Sequence, residues 1–231
     1  MTSNGALPSR ADLEAEGVCV LVGVPLERSL PSLVFASFWA IARGGWPLLD
    51  VGYGRTDLNR NRFAQALLES NATHLMMLDL DHVHAPDVVE RHARWALERP
   101  ECLVIGGMHF RRGEPFDPLA FAYGPDGQLH PLADWPRGGL IEVNGLGHGT
   151  LLVHRSVFER LAPPWWGYDY GRAAEGVYPT EDMYFCYLCR DAGIRLWVDT
   201  TISSPHVIEN LVTEKVHRAW LESHPEKVSG D

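Results

Sequence analysis

Strand-like and helix-like segments alternate through the first 108 residues, and this alternation is the feature that most constrains the fold. Apolar runs of strand length lie at residues 17–24, 47–53, 73–78 and 101–108. Segments of helical character lie between them, at residues 32–43, 59–70 and 86–98. Because strands that alternate with helices are joined by crossover connections, the pattern predicts a parallel sheet with helices on both faces.

The second half of the chain follows a different pattern. A turn sequence at 124–127 (GPDG) separates short strands within 119–132, and residues 139–154 supply one or two more. The other predicted elements are helices at 156–161, 180–192 and 211–222, a strand at 195–199 and a long irregular segment at 162–179. The expected fold class is therefore α/β. We expect one Rossmann-like domain, with a mostly parallel central sheet flanked by helices and a small antiparallel element in the second half.

The charge balance limits which partners to expect. The chain has 20 Lys and Arg against 30 Asp and Glu, a net charge of −10, which opposes nonspecific binding to nucleic acid or anionic membranes. The net charge does not exclude a local basic groove formed by Arg60, Arg62, Arg111 and Arg112. No apolar stretch reaches the roughly 18 residues of a membrane span, and the polar N-terminal stretch lacks the apolar part of a signal peptide. We expect a soluble, cytoplasmic protein without membrane partners, whose four cysteines are reduced.

Two carboxylates, Asp79 and Asp81, come directly after the apolar run at 73–78. Ligands of open α/β sheets bind beyond the carboxyl ends of the strands, and alternation along an extended chain points both side chains the same way. A cation relieves the repulsion between two such acids, and Mg²⁺ and Mn²⁺ suit carboxylates combined with ligand phosphates. The alternative is a solvated turn in which Asp81 makes only a local cap.

A second pair of acids, Glu181 and Asp182, follows Thr180 at the start of a predicted helix. An ordinary helix start explains both, because Thr is a good N-cap and acids in the first turn interact favourably with the helix dipole. A functional role is also open, since the pair follows an aromatic loop and precedes a mostly apolar helix. Either acid is placed to act as a general base. The dipole lowers the pKa of such an acid and burial raises it, and the sequence leaves that balance open.

Two further groups of residues raise the question of a metal site. Four histidines lie between residues 74 and 92, and Cys186 and Cys189 form a Cys-x-x-Cys pair. We discount zinc at the cysteines, because they lie one turn apart on an apolar helix and no second pair accompanies them. We also discount the histidine group. His206 lies alone in a loop after the last predicted strand, where a histidine is more often structural than a ligand.

The long segment at 162–179 contains an aromatic stretch, WWGYDYG, that begins with Trp165 and Trp166. Aromatic faces stack well on sugars and on bases, which suits a lid that orders over a bound ligand. An apolar plug beneath a surface loop explains the same residues equally well.

Together these segments resemble the GT-A fold glycosyltransferases, in particular the family-two-like branch, over about residues 17–206. The resemblance depends on the order and spacing of several short segments. In chain order they are 23–25 (GVP), 59–61 (NRN), 73–89 (THLMMLDLDHVHAPDVV, with an acid-x-acid or DXD motif), 104–112 (VIGGMHFRR), 144–158 (NGLGHGTLLVHRSVF), 180–182 (TED) and 199–206 (DTTISSPH).

The resemblance implies a metal-dependent transfer of a sugar from a nucleotide-diphosphate sugar, of the UDP or GDP type, to an acceptor hydroxyl. Mn²⁺ or Mg²⁺ is the implied cofactor, with Asp81 and His206 as ligands. Asp79 would contact the metal through water or hold the donor's ribose. Asp182, ahead of Glu181, is the implied base of an inverting transfer. In a retaining enzyme the pair would instead position the acceptor.

The resemblance also implies donor and acceptor contacts and a division of the chain. The implied donor contacts are Pro25, Glu27, Arg60 and Arg111, with the guanidinium groups matched to phosphate. The implied acceptor or lid residues are Asn144, Gly147, Trp165 and Trp166. The single domain at 1–231 divides into a loose lead-in at 1–16, a nucleotide-binding half at 17–108, an acceptor half at 109–206 and a C-terminal helix at 207–231.

The acceptor and two alternative functions stay open. A glycan, a protein, a small molecule or a hydroxymethylated DNA base would each serve as acceptor. The loop at 25–29 (PLERS) lacks the Tyr/Asn-Glu/Asp pair common in processive relatives, so recognition of the nucleotide base is open too. A sugar-phosphate nucleotidyltransferase shares the α/β core, but it usually has a glycine-rich loop after its first strand. A non-catalytic nucleotide-sugar-binding module is the other alternative, and the intact acid pairs argue against it.

Overall fold

A computed structural model describes residues 6–25, 29–170, 180–208 and 214–223. Seven helices and ten strands lie within these ranges. In chain order they are α1 (Arg10–Ala15), β1 (Val20–Gly23), α2 (Ser32–Arg43), β2 (Leu48–Leu49), α3 (Thr56–Glu69), β3 (His74–Leu78), α4 (Val88–Glu98), β4 (Val104–Gly107), β5 (Ala120–Tyr123), β6 (Leu129–Pro131), β7 (Leu140–Val143), β8 (Gly145–Leu146), β9 (Thr150–His154), α5 (Arg155–Arg160), α6 (Glu181–Asp191), β10 (Leu196–Asp199) and α7 (Glu214–Ser223).

Seven strands form the central sheet, in the order β2-β1-β3-β9-β4-β10-β7. Five of them run in one direction, and β9 and β7 run against the others. A second, antiparallel sheet has the order β6-β5-β8. The predicted α/β fold class is confirmed, with its mostly parallel central sheet and its small antiparallel element.

The position of β9 was not predicted. This strand lies between β3 and β4 and is antiparallel to both, so it interrupts the run of parallel strands. Residues 150–153 of β9 are buried, because neighbouring strands pair with both of its edges and apolar layers cover both of its faces. The sequence predicted one or two strands in 139–154, whereas the structure has three: β7, β8 and β9.

Two apolar layers cover the faces of the central sheet, and β3 contributes to both. Leu75 and Met77 belong to the layer that contains residues of α3, α5 and α6. Met76 and Leu78 belong to the layer that contains residues of α1, α2 and α4. Because successive side chains of a strand point to opposite faces, a strand buried on both faces must be apolar throughout. This requirement explains the unbroken apolar run at 75–78.

The N-terminal stretch differs from its prediction. Residues 1–16 were expected to be a loose lead-in, but residues 10–15 form α1, and Leu13 is buried. Ser9 and Asp12 form a capping box: the Asp12 amide donates to Ser9 Oγ at 3.2 Å, and the Ser9 amide donates to an Asp12 carboxylate oxygen at 2.9 Å. A helix of six residues with one buried side chain has too short a repeat to show helical periodicity, which is why the sequence pattern missed it.

No helix within the described parts of the chain has the length and apolar character needed to cross a membrane.

Candidate functional site

A cavity of about 960 Å³ opens at the carboxyl ends of the parallel strands of the central sheet. Its wall includes residues that follow β1, β3, β4 and β10 in the chain. Asp79 and Asp81 both line it, and so do Glu181 and Asp182 from the start of α6. Residues at the carboxyl ends of parallel strands form the usual ligand site of an open α/β sheet, and the volume is that of a small-molecule site.

Arg60 joins three of the acids into an arginine–acid cluster, which comprises Arg60, Asp79, Glu181 and Asp182. Its Nη2 donates to both carboxylate oxygens of Asp79 at 3.0 Å, and its Nη1 donates to Glu181 at 3.3 Å and to Asp182. Burial alone would lower the pKa of Arg60, but Asp182, Asp79 and Glu181 outweigh that effect and raise it. The guanidinium therefore stays charged, and carboxylates occupy its Nη1 and Nη2 groups, which were expected to contact phosphate.

The two neighbouring acids of α6 have opposite electrostatic surroundings. The Asp182 carboxylate contacts Arg60, accepts a hydrogen bond from the His148 amide at 3.2 Å, and lies 3.1 Å from His148 Nδ1. Burial alone would raise the pKa of Asp182, but Arg60 and His148 hold it well below its usual range. Burial and the charge of Asp182 together raise the pKa of Glu181. Glu181 is therefore the stronger base of the two.

Asp81, His82 and His206 form a second group at the same cavity. Three of their potential ligand atoms, one from each residue, lie within 4.8 Å of one another. Asp81 Oδ1 is 2.8 Å from His82 Nδ1, and Asp81 Oδ2 is 3.9 Å from His206 Nε2. Burial would raise the pKa of Asp81, but the hydrogen bond with His82 and the nearby His206 and Arg112 lower it to about 2. Asp81 is thus ionised at any physiological pH.

The Asp81–His82–His206 group fits a divalent cation on two observations. His206 Nδ1 donates to the Phe110 carbonyl oxygen, which leaves the lone pair of Nε2 available on the side of Asp81. His82 Nε2 is buried and has no hydrogen-bond partner among the described residues. Arg112 Nη1 lies 3.2 Å from Asp81 Oδ2, and its side chain is 60% exposed, so this arginine is free to move away. Imidazole ligands suit transition ions, whereas Mg²⁺ prefers oxygen ligands.

The glycines at 147 and 149 let the chain pass close to these groups. Residues 147–149 connect β8 of the small sheet to β9 of the central sheet. A Cβ on Gly149 would lie 2.6 Å from His82 Nε2, and a Cβ on Gly147 would lie 2.8 Å from Leu119 Cβ. Both distances are shorter than van der Waals contact, so only glycine fits at these two positions. Gly147 was predicted on the acceptor side, and it lines a smaller cavity next to the first.

The two tryptophans are buried, which corrects the prediction that they form a lid. Trp166 stacks on Phe185 with ring centroids 4.6 Å apart, and both indoles belong to the apolar layer under α6. Side-chain hydrogen bonds hold this stretch as well, because Asn61 Oδ1 accepts from the Trp165 amide at 2.8 Å. Trp165 and Trp166 thus form an apolar plug beneath the loop, which was the alternative to a lid. Residues 171–179 of the predicted lid lie outside the described residues.

The structure places the other predicted site residues at different distances from the cavity. Pro25 and Arg111 line it, and Arg111 lies 3.8 Å from Asp117. Asn144 is exposed, and its side-chain oxygen accepts from the Tyr123 amide at 3.3 Å. Asn144 lines neither this cavity nor the smaller one beside it. Glu27 lies outside the described residues.

Three residues of the site were missed or set aside at the sequence level. His82 belongs to a histidine group that was discounted, and His148 was not considered as a site residue. Arg112 was named only as part of a possible basic groove. One signal for His148 was available, since it lies within a stretch with glycine at every second position, 145–149. Such spacing indicates that another part of the chain approaches the backbone closely.

The comparisons with known proteins support the fold. No protein-family model matches the chain, and no curated protein matches it. The crystal structure of A197 from STIV matches with a TM-score of 0.60 and 18% sequence identity, over 83% of this chain and 87% of that one. At this identity the match shows a shared fold and nothing about activity.

Two weaker structural matches also span most of the chain. One is CMP:2-keto-3-deoxy-manno-octonic acid synthetase complexed with CTP, with a TM-score of 0.49, 10% identity and coverage of 90% of this chain and 99% of that one. The other is a glycosyltransferase involved in the glycosylation of the major capsid of PBCV-1, with a TM-score of 0.38, 14% identity and the same coverage. With TM-scores below 0.5, neither match supports an argument about this chain.

Proposed function

We propose that this protein is a metal-dependent glycosyltransferase, which moves a sugar from a nucleotide-diphosphate sugar to an acceptor hydroxyl. The observation that supports this most is the position of two different groups at one cavity. The Asp81–His82–His206 group suits a cation, and the arginine–acid cluster supplies a base. The proposed metal-dependent, inverting transfer uses both, because the leaving diphosphate gains negative charge while the acceptor loses a proton.

The metal-holding residues of this proposal are Asp81, His82 and His206. A divalent cation bound there would act as a Lewis acid that stabilises negative charge on the departing diphosphate. Arg111 and Arg112 line the same cavity and supply exposed guanidinium groups that match phosphate oxygens. These two arginines replace Arg60 as the phosphate contacts that we propose.

Glu181 is the base that we assign. The acceptor oxygen forms a bond to the anomeric carbon, and the bond from that carbon to the diphosphate oxygen breaks, with its electron pair leaving on the diphosphate. The proton of the acceptor hydroxyl passes to the Glu181 carboxylate, and the configuration at the anomeric carbon inverts. Asp182 keeps Arg60 and His148 in place, because both of its oxygens contact those residues.

Donor binding tests this proposal directly. Thermal stabilisation by UDP- and GDP-sugars is measured with Mn²⁺, with Mg²⁺ and with a chelator, and we expect stabilisation only when the metal is present. Asp81→Ala removes the central ligand and should abolish the metal-dependent part of the shift. The matched control is Asp134→Ala, because Asp134 is 89% exposed and lines neither cavity.

Two outcomes contradict the proposal. The first is the absence of any metal-dependent stabilisation by a nucleotide-diphosphate sugar. The second is the release of pyrophosphate from a nucleoside triphosphate and a sugar phosphate, which would assign the protein to the nucleotidyltransferases instead.

A further inference from the structure

A second cavity, of about 350 Å³, lies beside the first and shares part of its rim. It is enclosed by β5 and β6 of the small sheet, by the segment around β8 and by the start of α6. The two cavities meet at Arg111, Leu119, Glu181 and Asp182, which line both. A molecule in the smaller cavity therefore reaches the proposed base, whereas the metal-holding group lines only the larger cavity.

The wall of this smaller cavity is apolar, whereas its rim is charged. The apolar side chains that line it are Leu119, Phe121, Pro131, Leu146 and Met183. Gly147 adds backbone, and the Thr180 hydroxyl already caps the Met183 amide at 3.5 Å. The charged lining residues, Arg111, Glu181 and Asp182, are the ones that the two cavities share.

Such a wall selects against a sugar acceptor. A saccharide that enters an apolar cavity loses hydrogen bonds from its hydroxyls to water, and each unreplaced bond costs about 1–3 kcal/mol. A nucleic acid base loses the bonds of its polar edge in the same way. An aromatic ring or a compact aliphatic group loses none and gains from burial. The rim has two carboxylates against one guanidinium, that of Arg111, so its net negative charge disfavours an anionic acceptor.

The volume limits the size of the molecule. Small-molecule sites usually measure about 300–1,000 Å³, so a cavity of 350 Å³ is at the lower end of that range and suits one ring with a short substituent. A hydroxyl at one end of such a molecule lies at the rim when the apolar body fills the cavity. The rim is also where Glu181 takes up the proton in the proposed transfer.

We propose that the smaller cavity is the acceptor site and that the acceptor is a small, uncharged alcohol or phenol with a compact apolar body. This inference rests on the proposed glycosyltransferase function. Its transfer step is the one given above: the acceptor oxygen bonds to the anomeric carbon, the diphosphate leaves with the electron pair, and the proton passes to Glu181.

An acceptor panel tests this assignment. The purified protein is incubated with Mn²⁺, a UDP- or GDP-sugar that stabilises it, and one acceptor at a time: 4-hydroxybenzyl alcohol, phenol, free mono- and disaccharides, or an oligonucleotide with hydroxymethylated pyrimidines. Products are detected by mass spectrometry. We expect glycosylated phenol or benzyl alcohol and no product from the saccharides or the oligonucleotide.

Two variants of one wall residue locate the binding. Pro131→Glu places a carboxylate in the apolar wall, and Pro131→Phe fills the space with a larger apolar side chain. Each should weaken phenol binding at least tenfold in calorimetry. The matched control is Pro125→Glu, on the exposed turn of the same β5–β6 hairpin, and it should bind phenol like the wild type. Melting temperatures show whether each variant is folded. The two Pro131 variants change the wall in different ways, one by adding charge and one by adding volume, so the test does not depend on a single substitution.

The outcomes separate this inference from the proposed function. If donors bind with metal but the saccharides or the oligonucleotide are the acceptors, the acceptor assignment is wrong and the glycosyltransferase proposal stands. Unchanged phenol binding in both folded Pro131 variants also overturns the assignment. If phenols bind but no nucleotide-diphosphate sugar does, the glycosyltransferase proposal fails, and the acceptor role fails with it.

Discussion

Glu181 and Asp182 show how strongly the neighbours of a side chain decide its chemistry. The two acids are adjacent in the sequence and line the same cavities, yet their pKa values move in opposite directions. Asp182 is ionised because Arg60 and His148 surround its carboxylate. Glu181 is less strongly paired and retains basicity. Asp182, whose carboxylate is paired and ionised, positions its neighbours. Glu181, whose pKa is raised, is able to accept a proton.

Substitutions at the two acids should therefore have different effects. Glu181→Gln should lower kcat at least about 100-fold, because it removes the base, and should leave metal-dependent donor binding unchanged. Asp182→Asn should lower the free energy of unfolding by about 1–3 kcal/mol, because Arg60 loses one of its three carboxylate partners and His148 loses the carboxylate beside its ring. Steady-state kinetics and urea denaturation measure the two effects.

The control and the pH dependence sharpen that prediction. Glu98→Gln is the matched control, since Glu98 is exposed at the end of α4, and it should change neither quantity. Since the pKa of Glu181 is raised, the rate of the wild type should fall as the pH drops through a value above the ordinary 4.5. An unchanged kcat in a folded Glu181→Gln protein would remove Glu181 as the base.

The buried position of Trp166 makes a separate prediction about stability. Trp166→Ala should lower the free energy of unfolding by about 3–5 kcal/mol, because it leaves a large cavity against Phe185. Trp39 is 59% exposed on α2, so Trp39→Ala should change it by less than about 0.5 kcal/mol. Urea denaturation measures both. Similar small losses in the two variants would mean that Trp166 packs in solution as loosely as a lid does.

At the scale of elements, the site depends on the segments that bring its side chains together from different parts of the fold. Residues 147–149 link the small sheet to the central sheet, and His148 at their centre contacts Asp182. Helix α3 supplies Arg60, whose guanidinium contacts Asp79 directly after β3, and the start of α6 brings the second acid pair to the same guanidinium. The cluster is thus assembled from three elements, and a shift of any one of them changes the pairing of the acids.

The capping box of helix α1, which was not predicted from the sequence, makes a prediction about stability. Ser9→Ala removes the side-chain oxygen that accepts from the Asp12 amide, and should lower the free energy of unfolding by about 1 kcal/mol. The control is Ser32→Ala, since Ser32 is exposed at the start of α2, where Pro31 is the N-cap and no side-chain cap is present. Urea denaturation compares the two, and equal losses would contradict a specific cap at Ser9.

At the scale of the whole molecule, the core contains several neutral histidines. Burial lowers the pKa of His74 to about 3, of His84 to about 3 and of His92 to about 4, and it lowers that of His109 well below the ordinary value. Two of them form a buried chain of hydrogen bonds, in which the Thr150 hydroxyl contacts both His92 and His109. These side chains stay uncharged in the folded state at pH values where an unfolded chain would protonate them.

Stability should therefore fall on acidification from about pH 6.5. Below that value the unfolded chain binds protons that the folded protein does not, so each buried histidine lowers the free energy of unfolding by up to about 1.4 kcal/mol per pH unit. Each of these losses continues until the pH reaches the folded pKa, at about 3 or 4 where a value is given. Urea denaturation at pH 7.5, 6.5 and 5.5 measures the slope.

A variant with one histidine fewer checks the origin of that slope. His92→Gln keeps a side chain able to form hydrogen bonds but removes one titrating group, so its loss of stability per pH unit should be smaller by up to about 1.4 kcal/mol. A free energy of unfolding that stays constant between pH 7.5 and 5.5 would contradict the prediction for both proteins.

The parts of this protein that were predictable from the sequence are those that depend on near neighbours along the chain. The helix at 32–43 was predicted with the bounds of α2, and the hairpin around 124–127 was predicted from its turn residues. The strand β2 is shorter than predicted, with two residues against the range 47–53. The position of β9 in the sheet was not predictable, because strand order depends on pairing between distant segments.

The sequence by itself determined the α/β class and the two acid pairs, because periodicity and residue type are local properties. The tertiary structure alone decided how those acids are used. Asp81 meets His206, and Arg60 meets Asp182, across more than a hundred intervening residues. Whether a carboxylate is a ligand, a base or a support depends on the charges and the burial around it, and these exist only after the chain has folded.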